Sequence, residues 1–199
     1  MVPRKVDHGR RREEISRAVA AVAAERGLPA VSLRTVAQQA GVTSGMVQHY
    51  FESRDAMVDH AMSAASARFE ARMTQAVERL GDEPGARLLV WTLLSSLVPT
   101  DEEQLADARV ALDFMASAAT TPSAARRLEV DNARLRDYLA HQLRSAQHAG
   151  ELAQDRDPEL AATALFALAE GLSVHVISGG LDAADALAAL ESTLTAFFV

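Results

Sequence analysis

The chain has 199 residues, a formal net charge of −7 and no cysteine. That length carries one or two domains with a substantial core, and the missing thiols exclude a disulfide framework, a cysteine nucleophile and a thiolate metal site. About half of the residues are apolar (49%), with alanine and leucine dominant and β-branched runs short, so the composition predicts an all-α fold.

The opening Met1-Val2-Pro3-Arg4-Lys5 is charged and has no apolar run behind it, so it does not read as a secretory signal. A first helix is predicted from about Arg11 to Arg26, with Ile15, Val19, Val22 and Ala23 inward and Gly27 as its stop. Ser32 caps a second helix from Leu33 to Ala40, and a third runs from Ser44 to about Tyr50. Ser53 caps a long fourth helix that continues to about Leu80 before the Gly81–Gly85 breaker. A fifth helix is expected from Ala86 to Val98. A sixth follows from Asp101-Glu102-Glu103, whose charge suits a helix N-terminus. Thr121-Pro122 opens a seventh that ends near Gly150. Asp157-Pro158 is an N-cap and first-turn pair for the eighth. Asp182 caps a ninth that runs to the C-terminus. The longest apolar stretches are interrupted by Glu170, His175 or Asp185, which argues against a membrane span. A soluble cytoplasmic protein is the expectation.

Thr35 to Phe51 is the most informative segment. Val36, Ala37 and Ala40 form an apolar stripe, Gly41 interrupts it, and Met46, Val47 and Tyr50 resume the same spacing after the cap residue Thr43. A turn between two helices needs a residue that tolerates positive φ, which glycine does without a Cβ penalty. The pattern is that of a helix-turn-helix, whose second helix enters the DNA major groove; a plain helical hairpin shows the same stripe. The charge distribution favours DNA. Before position 55 there are nine basic residues against five acidic, whereas the remainder of the chain is strongly acidic.

Ser44 and Gln48 lie four apart on one face of the third helix. Gln48 can read adenine through its paired donor and acceptor. Met46 is a candidate for a thymine methyl or for partial packing, and Gly45 lets the backbone approach the duplex. Ser32 and Arg34 at the start of the second helix, and Arg54 at the start of the fourth, are candidates for phosphate. Arg10-Arg11-Arg12 reads either as a minor-groove arm or as a solvated tail.

Gly41-Val42-Thr43-Ser44-Gly45, His49-Tyr50-Phe51 and Ser53-Arg54-Asp55-Ala56-Met57-Val58 together resemble the signature of the tetracycline-repressor (TetR) family. The His-Tyr-Phe triplet is more like the branch of choline-responsive betaine regulators, and Ala169-Glu170-Gly171-Leu172 echoes that branch. The resemblance implies an N-terminal three-helix domain over residues 1–54 and a larger helical domain over 55–199 that binds an effector and dimerises. It implies phosphate contacts from Thr43, His49 and Tyr50. It further implies a homodimer that represses transcription from a palindromic DNA operator until a small molecule binds. An activator and a ligand-independent architectural DNA binder are the alternatives.

In the second region, Trp91, Leu94, Phe114, Met115, Tyr138, Phe166 and Glu170 are candidates for a mostly apolar effector pocket; each aromatic is equally a candidate for the core. Glu170 sits among Ala164, Leu165, Leu168 and Leu172, where a carboxylate needs a partner such as Arg134 or a cationic ligand. Ala161, Leu165, Leu168 and Leu172 on the eighth helix, and Leu187, Leu190 and Leu194 on the ninth, supply more apolar surface than one bundle face needs. They are the expected interface between two copies. No metal-ligand spacing, phosphate loop or catalytic constellation is present in the sequence, so no cofactor and no enzyme activity are expected.

Overall fold

Capping chemistry and glycine placement set most of the helix ends. The computed structural model describes residues 4–198; the predicted non-signal start, Met1-Val2-Pro3, lies outside the described residues, as do the side chains of Arg4, Lys5 and Asp7. The described residues form α1 (Arg4–Arg26), a 3-10 turn (Leu28–Ala30), α2 (Leu33–Ala40), α3 (Ser44–Tyr50), α4 (Arg54–Glu78), α5 (Ala86–Ser95), α6 (Glu102–Ala118), α7 (Pro122–His148), α8 (Pro158–Ile177) and α9 (Ala183–Thr195). They include no β-strand, only an isolated bridge between Leu152 and Phe198.

Ser32 and Thr35 form a reciprocal capping box at α2: Thr35 N donates to Ser32 Oγ at 3.1 Å, and Ser32 N donates to Thr35 Oγ1 at 2.9 Å. Gly41 ends α2 at φ +65°, and Val42 N donates back to Ala37 O at 3.0 Å, the long bond of a left-handed helix stop. Asp157 caps α8 by accepting from Glu159 N at 2.9 Å and Leu160 N at 3.4 Å.

Three boundaries differ from the sequence reading. α9 ends at Thr195 and does not run on toward the C-terminus, since residues 196–198 form a turn and the bridge to Leu152. α1 begins at Arg4 instead of near Arg11 and runs through Gly9; the glycine costs about 1 kcal/mol relative to alanine, and the added turns gain a packing partner described below. α5 ends at Ser95, not Val98. There the hydroxyls of Ser95 and Ser96 both donate to Thr92 O, at 3.3 and 2.6 Å, competing with the helical ladder.

The chain divides into two compact units. The first contains α1 to α3, α4 through Arg68, and most of α6, Glu103–Ala116. The second contains the rest of α4 from Phe69, with α5, α7, α8 and α9. The division is drawn differently from one at residues 54 and 55, since fifteen residues of α4 and the body of α6 go with the N-terminal helices. Ile15, Val19, Val36, Val47, Phe51, Met57, Val110 and Phe114 are buried in the first unit. The second closes over Val90, Leu94, Leu139, Leu143, Leu152, Leu165, Leu190 and Leu194. Each fully buried leucine of this kind contributes roughly 1.5–3 kcal/mol relative to an exposed one.

Candidate nucleic-acid interface and effector region

α3 has seven residues, and among them Val47 alone is buried. Ser44, Gly45, Met46, Gln48 and His49 are exposed, and Tyr50 is half-buried. Val47 thus pins the helix while Ser44 and Gln48, four apart, share one outward face; Met46, two positions from each, is 40% exposed on another side. A Cβ added at Gly45 would meet nothing within 4 Å, so the backbone there is open to approach. Thr43 caps α3 by accepting from Met46 N at 3.2 Å, which leaves its hydroxyl proton for a phosphate oxygen. These placements separate the candidate base readers from the residues that hold the helix.

The candidate phosphate residues have different degrees of freedom. Arg34 is exposed on the first turn of α2. Ser32 is occupied by the capping box described above. Arg54 carries a structural bond that the sequence does not reveal: its Nε donates to Val31 O at 2.9 Å, and a terminal nitrogen lies 3.4 Å from Asp55. It ties the start of α4 to the approach to α2. The run Arg10-Arg11-Arg12 is not a free tail but part of α1. Arg10 and Arg11 lie 3.7 and 2.6 Å from Glu14, and the Arg12 guanidinium lies 5.0 Å over the Phe51 ring.

Beneath this surface the first unit is cross-linked by polar groups. Ser16 and His60 share a hydrogen bond of 2.7 Å between Oγ and Nδ1. Ser16 Oγ also lies 3.0 Å from Arg12 O, within reach to donate to it. Burial, and then the Arg12 charge, hold His60 below the ordinary histidine range, against the pull of Glu13. Arg68 on α4 joins two acids from other helices. Its Nε and Nη2 reach Asp107 on α6 at 3.2 and 2.5 Å, and its Nη1 reaches Glu13 on α1 at 3.2 Å. Asp107 is only 6% exposed. The hydrogen bond to Asp107 raises the Arg68 pKa.

In the second unit, Leu94 and Phe166 are buried in the leucine core, with Trp91 packed against it. Tyr138 is 43% exposed on α7. Phe114 and Met115, predicted to join them, are on α6 in the first unit, Phe114 buried and Met115 half-buried. Glu170 is half-buried on α8. Burial raises its pKa, and the Arg136 charge opposes the shift. Its electrostatic neighbour is thus Arg136, not the exposed Arg134 suggested by the sequence. A separate cleft of about 260 Å³ is lined by Arg87, Glu151, Thr195 and Phe198.

Four of the seven residues predicted for an interface between copies are buried within their own chain: Ala161, Leu165, Leu190 and Leu194. Helical spacing found the apolar face but not which bundle it faces. Leu168, Leu172 and Leu187 are partly exposed. The outward face of α8 instead carries Leu160, Thr163, Ala164, Ala167, Gly171 and Val174, with Leu160 69% exposed. α8 is also long and apolar enough to cross a membrane by length and composition, yet its inward residues are core residues of the bundle. Among the described residues no group of three or more histidines and acids is placed to hold a metal.

Known proteins resemble the chain along most of its length. Residues 15–61 match the model for bacterial regulatory proteins of the tetR family. Residues 86–199 match the model for the C-terminal domain of BetI-type transcriptional repressors. The HTH-type transcriptional regulator PksA of Bacillus subtilis (strain 168) is 26% identical over 88% of this chain and 83% of its own length. The regulator BetI of Burkholderia mallei (strain NCTC 10229) is 30% identical over 84% of this chain and 81% of its own length. A transcriptional regulator from Saccharomonospora viridis, solved in complex with choline, superposes with a TM-score of 0.84 over 96% of this chain and 98% of its own, at 21% identity.

Proposed function

Since the chain belongs to the TetR family, with the C-terminal domain of BetI-type repressors, and is a ligand-responsive DNA-binding transcriptional regulator, we propose that it represses from a palindromic operator through Gln48 and Ser44 and is released by a cationic small molecule near Glu170. Regulators of this family bind DNA as dimers and are not enzymes. As a DNA-binding regulator the chain acts in the cytoplasm.

The observation that carries the DNA reading is the division of α3: one buried residue, Val47, while Ser44, Met46 and Gln48 are all exposed. Such a helix is held from behind and free in front, as major-groove entry requires. Thr43, His49 and Tyr50 supply the phosphate contacts, with Ser32, Arg34 and Arg54 flanking them. The interface between copies is the outward face of α8, from Leu160 through Ala164, Ala167 and Gly171 to Val174, with Leu168, Leu172 and Leu187 at its margin. Small residues there let two helices approach closely, and the uncovered apolar surface supplies the driving force.

Glu170 supports the choice of effector. A half-buried carboxylate whose pKa is raised by desolvation is costly as an anion, and a bound cation relieves that cost. The choline seen in the Saccharomonospora viridis regulator has the matching charge. Trp91 and Tyr138, in the same unit, are the candidates for apolar contact. α4 runs unbroken from Arg54 to Glu78, which makes it the route by which a change at the effector site alters the recognition helices.

The test is calorimetric titration of choline and of its uncharged carbon isostere into the protein, with and without an operator duplex selected from a random pool. Reciprocal linkage requires the duplex to weaken choline by the same factor as choline weakens the duplex. Equal choline affinity in both titrations rules choline out as the releasing ligand. Glu170→Gln is expected to weaken choline while leaving the isostere unchanged.

A further inference from the structure

The first three turns of α1 hold a contact that neither the helix-turn-helix pattern nor the family match includes. His8, Arg12 and Ser16 recur every four residues and so share one face of α1. Each meets a different part of the chain that follows the turn. The His8 ring packs on Tyr50 at a tilt of 54° with centroids 4.4 Å apart and meets the His49 ring at 6.2 Å. Arg12 covers Phe51 at 5.0 Å. Ser16 bonds His60, whose ring stands edge-on to Phe51 at 5.3 Å. His49 and Tyr50 are themselves in edge contact at 5.2 Å. The stripe therefore follows the C-terminal end of α3 residue by residue.

Such an anchor matters because α3 is weakly held otherwise. A helix of seven residues is far below the length at which helices are stable alone. Its one buried side chain, Val47, fixes position but not rotation at the far end. Rotation at that end is set by what the rings of His49 and Tyr50 touch, and the ring they touch belongs to His8. We propose that His8 is a positioning residue for DNA binding, orienting the His49–Tyr50 turn of α3 so that the Tyr50 hydroxyl meets a phosphate. His8 acts through Tyr50. This proposal rests on the DNA-binding reading above.

A positioning role separates from a general stabilising one. His8 is exposed and touches a surface turn, so His8→Ala should leave the melting temperature close to the wild-type value. Binding to a duplex selected by the wild-type protein from a random-sequence pool should weaken by about three- to tenfold, the equilibrium equivalent of one aromatic pair. The loss should be the same for duplexes changed at the base read by Gln48, because phosphate contacts act on all sequences alike. His8→Phe keeps a stacking ring and should recover binding to within about twofold of wild type.

A double-mutant cycle with Tyr50→Phe makes the test specific. If His8 works through the Tyr50 hydroxyl, the double variant loses no more than the weaker-binding single variant. Independent, additive losses would overturn the proposal, as would unchanged affinity in His8→Ala or a failure of His8→Phe to recover it. A wild-type protein that enriches no duplex overturns the DNA-binding reading, and this proposal with it; a normal wild type with an unaffected His8→Ala overturns this proposal alone.

Discussion

The two compact units are held together by different physics. The second is a leucine core closed by α5, α7, α8 and α9, with Leu139, Leu143, Leu190 and Leu194 fully buried. The first closes largely over valines and alanines around Ile15, Phe51, Met57 and Phe114, laced by directional contacts: Arg68 to Asp107 and Glu13, Ser16 to His60, Arg12 over Phe51, and Arg54 to Val31. Hydrophobic burial is non-directional and tolerates repacking. Charge-assisted hydrogen bonds fix distance and angle. A unit that presents side chains to base edges needs the second kind of support. A unit that holds a bundle together needs chiefly the first.

The largest effect that sharpens this contrast lies in the leucine core. Leu194→Glu would place an unpaired charge where the native side chain is fully buried. It should cost several kcal/mol and unfold the bundle, as read by loss of far-ultraviolet helicity and of cooperative melting. Leu168→Glu, at a half-exposed position, should leave the fold intact and instead split the dimer in sedimentation. A folded Leu194→Glu monomer would mean that Leu194 belongs to the interface after all.

Next in size is the ion cluster. Asp107→Ala leaves the Arg68 guanidinium with Glu13 as its remaining partner and should destabilise the protein by about 3 kcal/mol in urea titration. Replacing both residues with apolar ones of similar volume should recover most of that loss. Arg68→Lys keeps the charge but not the planar fork, and should fail to restore stability. Leu143→Met, which conserves volume, should cost less than about 1.5 kcal/mol. If Arg68→Lys were as mild as Leu143→Met, the contrast between the two units would collapse.

A third, smaller effect concerns the turn. Gly41 has φ +65° with open space around its absent Cβ, so the cost of a side chain is conformational, not steric crowding from neighbours. Gly41→Ala should lower stability by roughly 1–2 kcal/mol.

The smallest is a pH effect. His60 binds its proton less readily in the folded protein than at the ordinary value of 6.5. Its contribution to stability is therefore complete above the unfolded value and is lost as pH falls through the lowered folded value. Between about pH 7.5 and pH 5.5 the wild type should lose more stability than His60→Gln, in paired urea melts. Equal losses would remove His60 from the set of directional contacts.

What was legible in the sequence follows the same division between local and distant causes. Ser32, Gly41, Thr43 and Asp157 act within a few residues of themselves, and the helix ends they set were readable from spacing. The exposed Ser44–Gln48 face and the buried Val47 follow from helical periodicity alone. The contacts that shape the first unit do not. Arg68 meets Asp107 across 39 residues and Glu13 across 55, and His8 meets Tyr50 from a segment whose helicity depends on that distant packing. No local pattern announces such pairs. The interface residues failed for a related reason: Ala161, Leu165, Leu190 and Leu194 have the spacing of an apolar face, and spacing does not say whether the covering helix belongs to the same chain. In the effector region, composition singled out Glu170, whereas its neighbour Arg136 comes from another helix and required coordinates.

The most direct test of the account is a competition measurement at about 150 mM salt, using a labelled palindromic duplex selected by the wild-type protein against a scrambled duplex of the same composition. The account predicts binding to the palindrome at least about a thousandfold tighter than to the scrambled sequence. Gln48→Ala should reduce that ratio by about 1–3 kcal/mol and relax preference at one base position per half-site. Equal affinity of the wild type for the two duplexes would contradict it.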